Sequence, residues 1–285
     1  MLLTLAMLIC VQAESGTYPR ANLLIEPADW VKNPAAAKRF RILDARKREQ
    51  YKAGHVPGTV WVDHDTWSKK SRDELSHEDW RKRVGGLGID IDTPVVIYDD
   101  NGTSAARIWC ILRYWGVKDA RLMNGGWTAW QAAKGKVSKE EPEIHAKNAT
   151  LAPQVTRLAS KSQILEILKE KKTQIMDVRS KGEFCGEDKK AKRNGAIPSA
   201  LHLDWKEAID PKTKRLKPAS ELKKLLADAG IDLDRPAVTY CQSGGRAAMM
   251  AFTLELMGAK DVRNYYRSWS EWGNDPDTPI VVPKK

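Results

Sequence analysis

Little in this chain of 285 residues could cross a membrane, staple a fold or grip a metal. The longest apolar stretch, Met1 to Val11, is too short for a bilayer, which takes roughly 20 such residues. The four cysteines, Cys10, Cys110, Cys185 and Cys241, form neither a CxxC metal pair nor a disulfide framework. No run interleaves Arg with base-stacking aromatics, and no zinc-finger pattern occurs, so nucleic acid ranks low as a partner. The formal net charge of +11 is scattered, densest at Lys69-Lys70, Lys169 to Lys172, Lys189 to Arg193 and Lys212 to Lys217. Most of these charges read as solvated faces, but a positive field concentrates any small anionic substrate.

What is present is the composition of a soluble globular protein, 42% hydrophobic and 30% charged, with no call for a disordered tail. The length suits two domains, because single cores stop growing efficiently before that size. Residues 1–13 have the apolar run and the small-residue ending, Val11-Gln12-Ala13, of a secretory signal peptide. The expectation is removal of that leader and a periplasmic or secreted protein, with the cytoplasm as the alternative, since no Lys or Arg precedes the run. Ile9 is too bulky for Cys10 to be a lipid-attachment site. Of the remaining cysteines, Cys110 lies within the apolar stretch Ile108 to Trp115 and is expected to be a buried small hydrophobe.

The chain is a repeat. At an offset of 142, Gly88 to Trp130 matches Gly230 to Trp272 at 17 of 43 positions without a gap, where composition alone gives about one match in seventeen. Duplication is the simplest cause. The match continues upstream at a shifted offset, with Ile42 to Arg46 against Ile175 to Arg179 and Gly54-His55-Val56-Pro57 against Gly195-Ala196-Ile197-Pro198. The second copy therefore carries extra residues around Cys185 to Arg193. Short β-branched runs such as Val95 to Tyr98 and Ala237 to Tyr240 alternate with helical patterns such as Ala105 to Trp115 and Ala247 to Met257. The predicted fold class is α/β, two tandem domains over 17–134 and 155–285, each a mainly parallel sheet flanked by helices, joined by a linker over 135–154.

In the second copy the strand ends at Cys241 and the loop Gln242-Ser243-Gly244-Gly245 leads to Arg246 and the next helix. Two glycines let such a loop curl its N–H groups inward. The helix start and Arg246 add positive potential, which favours a nucleophilic thiolate. A buried structural cysteine is the plainer reading, but it needs no glycine-rich turn at the carboxyl end of a strand, where open α/β sheets bind ligands. A cysteine phosphatase also wraps an anion between Cys and Arg, but with five intervening residues rather than these four.

Cys241 to Arg246 after a strand, the two Asp-x-Arg strands, Gly54 to Gly58 and Asn124-Gly125-Gly126-Trp127 together resemble a tandem-domain rhodanese over about residues 20–275. The resemblance implies a sulfurtransferase with an active second domain and a silent first one, and no metal or organic cofactor. Asp99, which cannot carry a persulfide, stands where Cys241 does in the repeat. The implied chemistry moves sulfur from a small anionic donor, thiosulfate in preference to 3-mercaptopyruvate, through a Cys241 persulfide to cyanide or a thiol. A non-catalytic persulfide carrier, serving a protein acceptor, is the alternative.

On that reading Cys241 is catalytic and Arg246 binds the donor's oxygens, a guanidinium being able to grip two at once. Arg179 either faces the donor, as the family's matching arginine does, or pairs with Asp177, and the same pattern at Asp44 and Arg46 in the silent half supports the second role as strongly as the family supports the first. The backbone of Gln242, Ser243, Gly244 and Gly245 forms the expected cradle, with the Ser243 hydroxyl as an extra donor. Cys185 is expected to be packed or at the surface.

Overall fold

The computed structural model describes residues 17–72 and 76–284. The expected leader, 1–13, lies outside them. Strands β1 (Leu24–Ile25), β2 (Arg41–Asp44), β3 (Thr59–Trp61), β4 (Val95–Tyr98) and β5 (Ala120–Met123) form one sheet in the order β1-β5-β4-β2-β3. Strands β6 (Gln174–Asp177), β7 (Leu201–His202), β8 (Ala237–Tyr240) and β9 (Val262–Asn264) form a second in the order β7-β6-β8-β9. All pairings between these strands are parallel. The four strands of the second sheet repeat β3-β2-β4-β5 of the first in reverse listing, as duplication requires.

The central strands are continuous apolar or β-branched runs because helices cover both faces of a parallel sheet. Every residue of Val95–Tyr98 and of Ala237–Tyr240 is buried. Each central strand leads through a glycine turn into a twelve-residue helix, Thr103–Tyr114 or Gly245–Leu256. Gly102 (φ 88°) and Gly244 (φ 90°) occupy the turns, in the left-handed region that a side chain would strain.

These two helices pack against each other and join the domains. Trp109 meets Phe252 edge to face, with ring centroids 5.1 Å apart. All of Gly245–Leu256 except Arg246 is buried, which explains a helix apolar on every face apart from Arg246, Thr253 and Glu255. Truncating Phe252 to Ala would cost about 3–5 kcal/mol and loosen the contact that holds the Cys241 loop against the first domain.

Further ties cross the interface. Tyr18 Oη donates to Lys217 O at 2.8 Å, and Leu216 N donates to Asn124 Oδ1 at 2.9 Å. The segment 135–154 forms no regular helix or strand, yet it is strapped to the first domain. Lys147 N donates to Gly85 O at 2.9 Å and Ala152 N to Trp115 O at 3.1 Å, and Ala149 and Leu151 are buried. Among the described residues no helix is long and apolar enough to cross a membrane. None of them forms a His/Cys/Asp/Glu cluster fit for a metal ion.

Candidate active site

Cys241 directly follows β8 at the sheet's carboxyl end and is 1% exposed. Its loop is pinned from the far side by the turn that opens the helix Ser268–Trp272. Cys241 N donates to Ser268 Oγ at 3.1 Å, Trp269 N donates to Cys241 O at 3.0 Å and Ser270 N to Gln242 O at 2.9 Å. The left-handed Gly244 brings its N–H round to Cys241 Sγ at 3.0 Å. A Cβ at Gly244 would stand 2.5 Å from Tyr266 O, so only glycine fits.

The first domain builds the same turn around a carboxylate. Gly102 N donates to Asp99 Oδ1 at 2.5 Å, Ser104 N to Asp99 Oδ2 at 2.8 Å and Trp127 N to Asp99 O at 2.9 Å. Burial pushes the Asp99 carboxyl up to about 6 in spite of these donors.

Arg246, at the start of the Gly245–Leu256 helix, extends to Glu183. Its Nη1 donates to Glu183 Oε2 at 2.6 Å and its Nη2 to Oε1 at 2.9 Å. Burial works against both charges. On Arg246 it is outweighed by Glu183 and by the nearby Cys241 sulfur, which hold its proton more firmly than usual. On Glu183 it is outweighed by Arg246, which draws the carboxyl down to about 2. Arg246 keeps a quarter of its side chain exposed, against 6% for Glu183.

A family model described as a rhodanese-like domain matches residues 27–133 and again 160–275. This chain belongs to the rhodanese family. The sulfur carrier protein TtuD of Thermus thermophilus is 34% identical to this tandem rhodanese over 287 residues, 93% of this chain and 98% of that protein. A thiosulfate sulfurtransferase of Azotobacter vinelandii is 31% identical over 271 residues, 91% of this chain and 97% of its own length. Among solved structures, a variant of EanB in complex with ergothioneine superposes with a TM-score of 0.84 at 25% identity, covering 93% of this chain and 71% of that one. YnjE gives the same TM-score at 23% identity over 95% of this chain and 70% of its own, a likeness of fold.

Within this rhodanese the arginine expected to have two possible roles takes the structural one. Arg179 is 1% exposed, with Nε on both oxygens of Asp177 and Nη2 on Asp177 Oδ2 at 2.6 Å and on Gly195 O at 2.6 Å. Its guanidinium lies 4.3 Å from the centroid of Trp269. Arg46 repeats this in the silent domain with Asp44, Gly54 O and Trp127. A clamp built in both domains, once beside a loop that holds Asp99 in place of a cysteine, ties strand end to following segment and turns the buried Arg179 away from a donor.

The loop's other members are placed as neighbours of Cys241 with separate tasks. Gly244 supplies the bond to the sulfur, and Gly245 makes room for Arg107 of the first domain, whose Nη2 a Cβ there would approach to 2.8 Å. Ser243 O accepts from that same Nη2 at 2.5 Å. Gln242 Nε2 donates to Lys190 O at 3.0 Å, which draws the extra segment of the second copy alongside the loop. Cys185 is buried beside Phe184 and Ala196, and burial pushes the Cys110 thiol up to about 11.

Glu183 and Ser268 are among the site residues that escaped the sequence reading. Glu183 closes a capping box with Ser180, whose Oγ accepts from Glu183 N at 3.2 Å, and the Ser-x-x-Glu spacing was its signal. Ser268 has φ 53°, where its repeat equivalent (126 + 142 = 268) is Gly126 at φ 52°. A serine in this region costs on the order of 1 kcal/mol. Its hydroxyl, which receives the Cys241 N–H and donates to Tyr265 O at 2.6 Å, compensates for that strain.

Proposed function

We propose that the protein is a thiosulfate sulfurtransferase in which Cys241 carries sulfur as a persulfide. One observation carries this reading: the two repeats build the same N–H turn, and only the second places a sulfur in it, held by Gly244 N at 3.0 Å. The Cys241 thiolate attacks the outer sulfur of thiosulfate, a Cys–S bond forms, and sulfite leaves with the electron pair of the broken S–S bond. Cyanide or a thiolate then attacks the outer sulfur of the persulfide and releases the Cys241 thiolate. The protein's work is in-line positioning and stabilisation of negative charge.

Thiosulfate is favoured over 3-mercaptopyruvate by the Azotobacter relative and by positive potential at the loop from Arg246. That arginine shares its charge with Glu183, so its contact with a donor would use the N–H bonds left over from the pair. The test is thiocyanate formation from each donor with cyanide. Wild type should turn over, thiosulfate should exceed 3-mercaptopyruvate in kcat/KM, and Cys241→Ala should be inactive. Activity surviving in Cys241→Ala would remove the persulfide reading.

A persulfide carrier for a protein acceptor is the second reading. It is favoured by a cysteine 1% exposed and by the Thermus relative named as a sulfur carrier. A single round of persulfide loading without turnover on small acceptors would decide for it.

A further inference from the structure

We propose that Arg107, from the first domain, is a positioning residue that orients the sulfur-holding peptide of the Cys241 loop. This rests on the reading of Cys241 as the sulfur-carrying residue. Arg107 Nη2 donates to Ser243 O at 2.5 Å, and Gly244 N donates to Cys241 Sγ at 3.0 Å. Ser243 O and Gly244 N belong to one peptide unit. A planar trans peptide points its C=O and N–H in opposite directions, so a guanidinium fixing the oxygen aims the N–H at the sulfur. A charged donor on the oxygen also polarises the peptide and strengthens the bond at its other end.

Arg107 is held for this task. It is 5% exposed, its Nη1 donates to Ser68 Oγ, and its guanidinium lies 5.2 Å from the centroid of Tyr266, whose hydroxyl bonds to Ser71 Oγ. Arg46, Arg179 and Arg246 all pair with carboxylates. The hydrogen bonds of Arg107 go instead to a hydroxyl and a carbonyl, and its Nε is buried without a partner. A buried cation bound only to neutral groups is costly, and a thiolate or persulfide beyond the peptide is the anion that compensates for it.

The duplication supplies a control. The repeat equivalent of Arg107 is Met249 (107 + 142 = 249). The paired helices exchange these two side chains: Met249 Sδ would meet a Cβ at Gly102 at 3.1 Å, and Arg107 Nη2 one at Gly245 at 2.8 Å. Each domain thus inserts the same position into the other's loop. The loop with the cysteine receives a charged donor, and the loop with Asp99 receives a thioether that cannot donate. The silent domain thereby contributes to the active site of its partner.

The test compares Arg107→Met, the repeat's own alternative, with Arg107→Lys in the full chain. The readouts are single-turnover persulfide formation from thiosulfate, the pH profile of Cys241 alkylation by iodoacetamide, and urea unfolding. The groups around the loop are Arg246, Glu183, Arg107, the Asp177–Arg179 pair, Tyr240 and Tyr266, with His64 behind Arg107. Burial and Arg107 lower the His64 pKa, so the profile is read above pH 7. Arg107→Met should slow persulfide formation by about tenfold and slow alkylation across the profile, through loss of a charge-assisted bond and a nearby cation. Arg107→Lys should recover most of both.

Wild-type rate and profile in Arg107→Met would overturn the proposal, as would a folded Arg107→Lys as slow as Arg107→Met, because volume alone would then matter. Should Arg107→Met fail to fold, Arg107→Gln replaces it, and a wild-type profile there overturns the proposal equally. Activity that persists in Cys241→Ala would instead remove the underlying persulfide reading.

Discussion

The two strand-to-helix turns of this protein differ less in backbone than in what the backbone holds. In both, a left-handed glycine (Gly102 or Gly244) turns its N–H onto the side chain three residues earlier, an Asp99 oxygen or the Cys241 sulfur. In both, the residue after a positive-φ position of the facing turn, Trp127 or Trp269, donates to the backbone carbonyl of that same residue. The turn is therefore a feature of the fold, stable with either occupant. Chemistry enters through side chains at a few equivalent positions: Cys241 for Asp99, Arg246 for Ser104, Ser268 for Gly126, and across the interface Arg107 for Met249. Scaffold and reactivity are separable here because one chain contains both versions.

The sharpest way to break the comparison is to exchange the occupants. Cys241→Asp should lower thiocyanate formation by about a thousandfold or more, since a carboxylate cannot replace the nucleophile, while the fold survives because Asp99 already sits in such a turn. The converse, Asp99→Cys in that background, should restore nothing. Its loop ends in Ser104 in place of an arginine and receives Met249 from the other domain. Recovered turnover in the double variant would show that any cysteine in this turn suffices, and the supporting residues would lose their assigned roles.

Next in size is the pair that supports the active loop. Glu183→Gln leaves Arg246 half-buried without its counter-charge and should cost about 2 kcal/mol, below the cost of breaking a fully buried pair because Arg246 is a quarter exposed. The Glu183 carboxyl is drawn down to about 2 from 4.5, burial opposing and Arg246 prevailing. A depressed acid stabilises the native state above its unfolded value and loses that contribution as pH falls through the folded one. Wild-type stability should thus drop between about pH 4.5 and pH 2, and urea titrations of Glu183→Gln should be flatter across that window. Parallel slopes would mean that the pair stores no stability.

Much of this was legible in the chain itself. The repeat, the alternation of strands and helices, the Asp99 in the first copy and the Cys241 loop are all local or periodic patterns, and 17 identities in 43 positions exposed them. The partners that complete the site lie far off along the chain. Glu183 reaches Arg246 across 63 positions and Arg107 reaches Ser243 across 136, and no local pattern encodes such pairings. Arg179 is a different case: the same Asp-x-Arg in both copies weighed for the clamp with Asp177 and the family resemblance for the donor, and the structure shows the clamp. The expected role for Arg246 as a free grip on the donor missed Glu183, whose own pattern advertised only a helix cap.

A smaller change probes the strained serine. Ser268→Gly removes the hydroxyl that accepts the Cys241 N–H and also relieves the φ of 53°. The two effects on stability, each about 1 kcal/mol, should nearly cancel. Activity should still fall about fivefold, the worth of one hydrogen bond in positioning the nucleophile. A Ser268→Gly enzyme with unchanged kcat but greater stability would make the serine a packing residue alone.

The smallest effect on activity lies in the Asp99 turn, where the pH dependence of stability has the opposite sign to that of Glu183. Burial raises the Asp99 carboxyl to about 6 from 3.8, against the N–H donors around it. An acid that holds its proton more tightly when folded loses stability as pH rises through the interval between the two values. Asp99 should therefore stabilise the protonated fold below pH 3.8 and leave it weaker above pH 6. Asp99→Asn removes the titration, keeps one acceptor for Gly102 N and should flatten the pH 4 to 6 slope by about 1 kcal/mol per pH unit. Activity should be untouched, because this turn holds no nucleophilic sulfur. A fall in thiocyanate production on that substitution would show that the first domain's turn communicates with Cys241 and that its silence is incomplete.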